Sequence, residues 1–387
     1  MTRTTSNRVP GIWQGVRWAM DPGAEGGGTT RARLVWRTLH ANLLHGKAMH
    51  RWMAVAADLH SREITRDLPG EYLRAVRPSV HGGVGFAERV AQLIDHMDWL
   101  ESAFHPAAFS QIASGEPLVL LELTPPPGYQ YMRLQLQQAP VQSPEGDLLL
   151  TITLQRSADL QHKPHPMDAG VLAFSRMSIQ GTPCLAIGGV RGQRSASQRV
   201  SAIEIAQALQ GWKPAVLLVR VAQELARYWQ LKLIGLDPAA HRLHGWSYRW
   251  NRRNREAGER IFGSYRALWD HFKAGNGPEG WVILPLDSDD GLAATALSPE
   301  KRARQTRRAD FWIRTRKLLR ADLRKLLQRS GLETKAGATR AMELVTLAPP
   351  MESEFPLDSG LDDVDPVAGA RDRAGRDPFA PVSGARR

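Results

Sequence analysis

The chain of 387 residues contains a single cysteine, Cys184, and no long hydrophobic run. One thiol excludes an intrachain disulfide and a multi-thiolate metal site, and it fits a reducing compartment. The longest purely aliphatic stretch, Ala215–Val219, is far too short to span a bilayer. The first 28 residues lack the apolar run that a cleavable secretory signal needs. We therefore expect a cytosolic protein.

Acidic residues are scarce in two segments. Ser298–Arg329 has twelve Lys or Arg and three acids, so it carries +9 of the formal charge of +12. Arg242–Arg260 has six Arg and two Glu, a net +4, and the rest of the chain is close to neutral. We expect an anionic partner to meet these two places. The predicted basic surface consists of Lys301, Arg302, Arg307, Arg308, Arg314 and Arg316.

Recognised catalytic motifs are also missing. The sequence has no G-x-S-x-G elbow, no Walker loop and no H-E-x-x-H, so hydrolases and nucleotide-hydrolysing enzymes have no support. His241 with His244, and His162 with His165, have a spacing suited to chelation. Neither pair has a nearby acid or thiolate, so we predict no metal site.

Hydrophobic periodicity predicts helices first and strands afterwards. Between Arg31 and Pro106 apolar residues recur at helical spacing, with breaks near Gly46 and at Gly82-Gly83. After Gly115 the period changes to two, which predicts an antiparallel meander. Its strands are Leu118–Leu123, Gln130–Gln137, Asp147–Gln155, Val171–Ile179 and Pro183–Val190.

The remainder of the chain mixes both periods. The predicted elements are helices at Val200–Leu209, Pro214–Trp229 and Ile261–Phe272, strands at Leu231–Leu236 and Trp281–Leu286, and a basic helix that begins after Ser298. The fold class is α+β, with a helical layer, an antiparallel-rich mixed sheet with flanking helices, and a C-terminal basic helix. The predicted division is a disordered N-terminus over 1–30, a helical layer over 31–112, the mixed-sheet core over 113–330, and a disordered Pro/Gly/Asp-rich tail over 346–387.

Glycines and arginines cluster after the fifth predicted strand and suggest an anion or cofactor site. Glycine lets a backbone approach a ligand closely, and the N-terminus of a following helix favours phosphate. The candidates are Gly188, Gly192, Arg191, Arg194 and Arg199. An equally good interpretation is that the glycines serve tight packing and the arginines are solvated.

Aromatic residues alternate with polar ones before an arginine cluster in the second basic segment. This aromatic-basic patch consists of Trp246, Tyr248, Trp250, Arg252, Arg253 and Arg255. Such rings stack on bases or lie at a lipid headgroup interface while guanidinium groups hold phosphates. Half-buried strand residues show the same alternation. Because no recognised nucleic-acid motif appears, we rank anionic lipid or a lipid precursor above nucleic acid.

Several short stretches, in order and spacing, resemble the VirK/YbjX family of bacterial proteins. They are His96-Met97-Asp98-Trp99-Leu100, Glu145-Gly146-Asp147-Leu148, Phe174-Ser175, Ile187-Gly188-Gly189-Val190-Arg191-Gly192, Leu209-Gln210-Gly211-Trp212-Lys213-Pro214, His241, Tyr265 with Trp269, Leu284-Pro285, Lys301-Arg302-Ala303 and Arg307-Arg308. Arg266 and His271 stand where that family usually has acids. The resemblance implies a role in envelope integrity, virulence and resistance to cationic antimicrobial peptides. It implies no reaction. The concentration of positive charge in the C-terminal basic helix, and not the resemblance, predicts action at anionic lipid on the inner face of the cytoplasmic membrane.

A second resemblance concerns the order of elements. A meander, a strand, a basic loop and a helix is also the order in acyltransferases of the GNAT superfamily, whose loop holds the pyrophosphate of an acyl-CoA. The segment 193–198 lacks the glycine of that loop pattern. In this scheme His241 or Tyr265 is the acid or base. An acyl- or aminoacyl-transferase that uses a CoA ester is therefore the alternative function, and nucleic-acid binding is the second alternative.

Overall fold

A computed structural model gives the architecture of the protein. It describes residues 11–21, 28–65, 67–125, 127–141, 143–156, 166–192, 202–244, 252–278, 280–287 and 298–327. Within these ranges five helices precede an eight-stranded, mostly antiparallel mixed sheet, and the later helices lie between and after its last strands. The fold class is therefore α+β, as the periodicity predicts.

Five helices form the N-terminal layer. They are α1 (Ile12–Met20), α2 (Gly28–Ser61), α3 (Leu68–Val76), α4 (Phe86–Ala103) and α5 (Pro106–Ala113). The long helix α2 is interrupted at His45, whose φ of −129° and ψ of 30° are not helical. The kink lies one residue from Gly46, where the sequence predicts a break.

Helix α1 corrects the prediction that residues 1–30 are disordered. Val16 and Ala19 are buried, and the ring of Trp18 meets the edge of Tyr72 at a centroid distance of 5.3 Å. Gly15 brings the helix so close that a Cβ there would lie 1.9 Å from the Tyr72 hydroxyl oxygen. The glycine-rich segment after α1 led to the prediction of disorder, and the short apolar face of the helix was missed.

Eight strands build one sheet. They are β1 (Leu118–Leu123), β2 (Tyr129–Gln138), β3 (Leu148–Arg156), β4 (Pro166–Ile179), β5 (Thr182–Gly192), β6 (Lys232–Leu236), β7 (Gly275–Asn276) and β8 (Trp281–Leu284). Their order is β1-β2-β3-β4-β5-β6-β8-β7. The first five pair antiparallel with their neighbours, which confirms the predicted meander. Strand β6 pairs parallel with β5, and the two-residue β7 was not predicted.

Alternate strand residues face different packing layers. Leu185 and Ile187 of β5 belong to the large core that the helices cover, while Cys184 and Ala186 belong to a smaller cluster. Because neighbouring residues of a strand point to opposite faces, the two clusters lie on opposite sides of the sheet. The helical layer therefore covers one face.

The later helices connect and flank the sheet. They are α6 (Ala202–Ala208), α7 (Pro214–Tyr228), the 3₁₀ turns η1 (Pro238–Ala240) and η2 (Arg242–His244), α8 (Arg252–His271) and α9 (Pro299–Leu326). Helix α8 begins nine residues before the predicted Ile261, because its arginine-rich first half has no apolar stripe to signal it. The predicted N-cap of α9 is confirmed, since the Ser298 hydroxyl accepts from the Lys301 N–H over 3.4 Å. In the described part of the chain no helix has both the length and the apolar character needed to cross a membrane.

Candidate functional site

The parallel strands β5 and β6 separate at their carboxyl ends. Cys184–Ile187 pair with Lys232–Gly235, after which β5 continues to Gly192 without β6 beside it. In sheets with such crossovers, ligands bind beyond the carboxyl ends of the strands. Strand β6 leads into η1 and η2 at this end, and α8 packs on both turns.

Tyr265 of α8 lies against β5. Its phenol oxygen accepts from the Val190 N–H over 3.2 Å, and its hydroxyl donates to the Gly188 carbonyl over 3.5 Å. Burial, and after it the Glu145 carboxylate, raises the pKa of Tyr265 well above its ordinary value. The phenol therefore stays protonated at neutral pH, so it is a hydrogen-bond donor and not a base.

Arg191 is paired within the protein. Its Nη2 lies 2.6 Å from Oε2 of Glu145, a buried carboxylate that sequence reasoning did not select. Glu145 also occupies the space beside the two glycines of β5. A Cβ on Gly188 would lie 2.0 Å from the Glu145 carbonyl oxygen, and one on Gly189 would lie 2.4 Å from its Oε2.

At Gly188 the space beside the backbone is taken by Glu145, which supports the packing interpretation of this glycine. Gly192 differs, since a Cβ there would meet nothing within 4 Å. Arg194 and Arg199 lie outside the described residues. Of the predicted anion site, the described part is thus a packed junction with Arg191 at its edge.

His241 follows η1 at the end of the parallel pair. Its Nδ1 accepts from the Leu243 N–H over 3.2 Å, and the ring is buried. Burial, then the charges of Arg242 and His244, lowers the pKa of His241 to about 4. The ring is therefore neutral at pH 7 and a weak base. The described residues contain no group of three His, Cys, Asp or Glu side chains that could hold a metal ion.

Three of the predicted residues thus lie at one end of the sheet. Arg191 belongs to β5, Tyr265 is placed against that strand, and His241 follows β6 beside the turns on which α8 packs. All three are engaged in contacts inside the protein. The arrangement supplies a hydrogen-bond donor and a cation, but no basic group with a pKa near neutrality.

A buried polar network lies next to this junction and was not predicted. The Arg89 guanidinium donates to both oxygens of Asp147, over 2.6 and 3.0 Å, and the Ser175 hydroxyl donates to Asp147 over 2.6 Å. Burial alone would raise the pKa of Asp147, but Arg89, His96 and Ser175 together outweigh it and hold the pKa well below its ordinary value. Asp147 and Ser175 both lie in stretches that carry the family resemblance, and this resemblance is the sequence signal that could have identified the network.

His96 of α4 lies close to that network. Its Nδ1 accepts from the Arg176 N–H over 3.1 Å, and the ring is fully buried. Burial is the main cause that lowers the pKa of His96 to about 4. The network therefore joins α4 to β4 through a neutral imidazole.

The predicted basic surface divides into two groups. Lys301, Arg302, Arg307 and Arg314 are exposed on α9. Arg308 and Arg316 instead turn toward the protein. The Arg308 Nε donates to the Gly211 carbonyl over 2.8 Å, and the Arg316 Nε lies 2.8 Å from the buried Glu224.

Glu224 of α7 gathers several arginines. Arg320 approaches it at 2.8 Å, and Arg227 also donates to it. One buried carboxylate therefore neutralises part of the positive charge of α9 internally. The outer side of α9 keeps its other cations.

A small pocket adjoins the exposed group. Its volume is about 400 Å³, and Gln207, Gln210, Gly211, Arg304 and Arg307 line it. The aromatic-basic patch can be placed only in part, because Trp246, Tyr248 and Trp250 lie outside the described residues. The backbones of Arg252, Arg253 and Arg255 form the first turn of α8, and their side chains lie outside the described part.

Comparison with known proteins gives one match. A family model whose description is "protein of unknown function (DUF535)" matches residues 28–316, which run from the start of α2 into α9. The match includes the sheet, the junction at β5 and Glu224. No curated protein and no solved structure gives a significant match.

Proposed function

The chain belongs to the DUF535 family, and from this premise we propose that it is a VirK/YbjX-like protein that supports the bacterial cell envelope. In this proposal it works at the inner face of the cytoplasmic membrane, where the outer side of α9 contacts anionic lipid or a phosphate-bearing lipid precursor. Virulence and resistance to cationic antimicrobial peptides are the phenotypes expected of such a role. The observation that carries the proposal is the row of exposed cations on α9.

The outer side of α9 has the composition of a surface that meets lipid. Arg302, Arg307, Arg314 and Lys317 are exposed there, and Ile313 and Leu318 are exposed among them. Cations near an anionic membrane each contribute about 1 kcal/mol. Apolar side chains between them add contact with the acyl boundary.

The pocket between α6 and α9 supports an anionic headgroup as the ligand. Arg304 and Arg307 supply guanidinium groups, and Gln207 and Gln210 supply amide donors. A guanidinium matches the geometry of phosphate oxygens. A phosphate that enters from the membrane side would therefore find charge-assisted donors on one wall and amides on the other.

Vesicle flotation of the full chain tests this function. We expect recovery with phosphatidylglycerol vesicles and not with phosphatidylcholine vesicles. Reversal of Arg307, Arg314 and Lys317 to Glu is expected to weaken binding by about 3 kcal/mol or more, since each lost cation contributes about 1 kcal/mol. Circular dichroism should show that the parent chain and the triple variant are both folded.

A second triple variant is the matched control. Lys232, Arg266 and Lys273 are exposed on elements other than α9, and reversing them to Glu changes the net charge by the same amount. We expect this variant to float like the parent chain. Equal recovery with the two lipids, or an equal loss in the two triples, would reject the function.

The second candidate is a GNAT-like acyltransferase that uses a CoA ester. Its support is the parallel pair β5–β6, with the Arg191 cation and the protonated Tyr265 at its carboxyl end. Thermal denaturation with and without acetyl-CoA and longer acyl-CoAs separates the two candidates. A bound ester raises the melting temperature by mass action, and Arg191→Ala should remove that rise. The membrane function predicts no rise with any ester.

A further inference from the structure

Large apolar side chains are exposed on α1 and α2, far in sequence from α9. The exposed fractions are 77% for Trp13, 55% for Met20, 66% for Trp36, 73% for Leu43 and 67% for Leu44. Isolated exposed apolar residues are ordinary, but a contiguous group indicates a binding surface. The spacing of these residues decides which case applies.

Each helix presents its exposed apolar residues on one side. On α1, Trp13, Arg17 and Met20 follow at intervals of four and three, so they lie on one face. On α2, Trp36 is followed seven and eight residues later by Leu43 and Leu44. Met20 and Trp36 line the same open groove of about 550 Å³, so the two helical faces adjoin. The apolar residues thus form one surface.

The same surface is cationic. Helix α1 has no Asp or Glu, and α2 has none before Asp58. Over that length α2 carries five Lys or Arg, of which Arg33, Lys47 and Arg51 are exposed. We call this surface the α1–α2 face, and it consists of Trp13, Arg17, Met20, Arg33, Trp36, Leu43, Leu44 and Lys47.

We infer that the α1–α2 face is a second membrane-binding surface, one that inserts apolar side chains into an anionic bilayer. Indole and leucine side chains suit the boundary between headgroups and acyl chains, where Arg and Lys extend to the phosphates. An anionic bilayer therefore matches both the apolar and the cationic side chains of the α1–α2 face. A second copy of the chain fits less well, because stacking two such faces would bring like charges together.

This inference rests on the proposed membrane role but differs from it in the kind of force. Contact through α9 is mainly electrostatic, so salt weakens it, whereas burial of Trp36 and Leu43 in lipid is not screened. At about 0.5 M salt, where the Debye length is only a few ångströms, binding through the α1–α2 face should persist. The two surfaces can therefore be tested separately.

A fluorescent label placed on the face tests the insertion directly. Cys184 is buried, so in a Cys184→Ala background the variant Leu43→Cys can be labelled with the polarity-sensitive dye NBD. We expect a blue shift and a gain in intensity on phosphatidylglycerol vesicles, in low and in high salt. The matched control is Ile283→Cys, an exposed apolar position on β8, where no shift is expected.

The variant Trp36→Ala/Leu43→Ala gives the second measurement. Both side chains are exposed, so the variant should fold with an unchanged melting temperature. Its affinity for the same vesicles at high salt should fall about tenfold or more, because two large apolar side chains no longer enter the lipid. The α9 triple variant should keep the Leu43 label shift at high salt.

Three results would overturn the inference. The first is a label at Leu43 that stays unshifted while the protein floats, which leaves the α9 function intact. The second is a shift that depends on protein concentration without vesicles, which assigns the face to a second copy. The third is equal high-salt affinity in the parent and the double variant. Weakened low-salt binding of the α9 triple, with the Leu43 label shift kept at high salt, would support both the proposed function and this surface.

Discussion

Two hydrogen bonds join Gly211-Trp212 to Arg308 of α9. The Trp212 indole N–H donates to the Arg308 carbonyl oxygen over 3.0 Å, and the Arg308 Nε donates to the Gly211 carbonyl over 2.8 Å. The Trp212 and Trp312 rings lie 6.3 Å apart beside this contact. Two stretches that carry the family resemblance therefore meet here, and they fasten α9 to the start of α7.

Replacing Trp212 by Phe should loosen this attachment. The ring stays apolar, but the Arg308 carbonyl loses its indole donor, which costs about 1–3 kcal/mol when the acceptor is buried. Urea denaturation followed by circular dichroism measures the loss. Trp36→Phe is the control, since Trp36 is exposed and its exchange should change the free energy of unfolding by less than about 0.5 kcal/mol. Equal effects of the two changes would contradict a stabilising hydrogen bond from Trp212 to the Arg308 carbonyl.

Neutralising Glu224 should destabilise the protein more strongly. In Glu224→Gln the guanidiniums of Arg227, Arg316 and Arg320 lose the anion they share. Leaving buried charges unpaired costs about 3–5 kcal/mol, and the half-exposed Arg316 and Arg320 place the expectation near the lower value. The measurement is again the free energy of unfolding in urea.

Asp322→Asn is the matched control for that change. Asp322 pairs with Lys325 at the surface, over 2.7 Å, in a contact of the kind that contributes about 0–1 kcal/mol. If Glu224→Gln costs no more than this exchange, Glu224 does not hold α7 and α9 together. In that case the cations of α9 are not divided into an inner and an outer group.

Local patterns predicted the sheet well. Leu148, Leu150 and Ile152 of β3 alternate with residues that face the other layer, and burial on one face imposes that period on the sequence. Helix α7 was also predicted as a helix, and the structure buries its residues 217–226. The arginine-rich start of α8 has no such signal, so periodicity placed its beginning at Ile261.

The contacts within the candidate site were less predictable. Glu145 reaches Arg191, and Arg316 reaches Glu224, across long stretches of chain. Periodicity reports which side of an element is buried, but it does not identify a partner from another element. The sequence therefore predicted that α9 is basic, and only the structure shows that Arg308 and Arg316 turn toward Gly211 and Glu224.

The buried histidines predict how stability depends on pH. The pKa values of His96 and His241 are lowered to about 4 by burial, whereas an unfolded histidine titrates near 6.5. Below about pH 6.5 the unfolded chain binds protons that the folded protein does not bind until about pH 4. Stability is therefore full above about pH 6.5 and falls as the pH decreases toward 4, by up to about 3 kcal/mol for each histidine.

Urea unfolding at about pH 7 and about pH 5 measures this loss of stability. Both pH values lie above the range in which Asp147 is expected to titrate. His96→Asn keeps an acceptor near the Nδ1 position and should reduce the difference between the two pH values. His50→Asn, at an exposed position of α2, should leave the difference unchanged. An unchanged difference in His96→Asn would show that this ring is not held neutral by burial.

Alanine substitutions at Gly188 and Gly192 distinguish the two interpretations of the glycines in β5, which are tight packing and close approach to a ligand. If Gly188 serves to admit Glu145, then Gly188→Ala must displace that residue, because the new Cβ would lie 2.0 Å from its carbonyl oxygen. We expect a loss of about 1–3 kcal/mol in the free energy of unfolding, the usual cost of overpacking. Gly192→Ala should change it by less than about 0.5 kcal/mol, since its Cβ would meet nothing within 4 Å. A ligand site at Gly188 predicts the reverse, namely a stable Gly188→Ala protein that has lost binding. Denaturation of both variants, with vesicle flotation of each, distinguishes packing from binding at this strand.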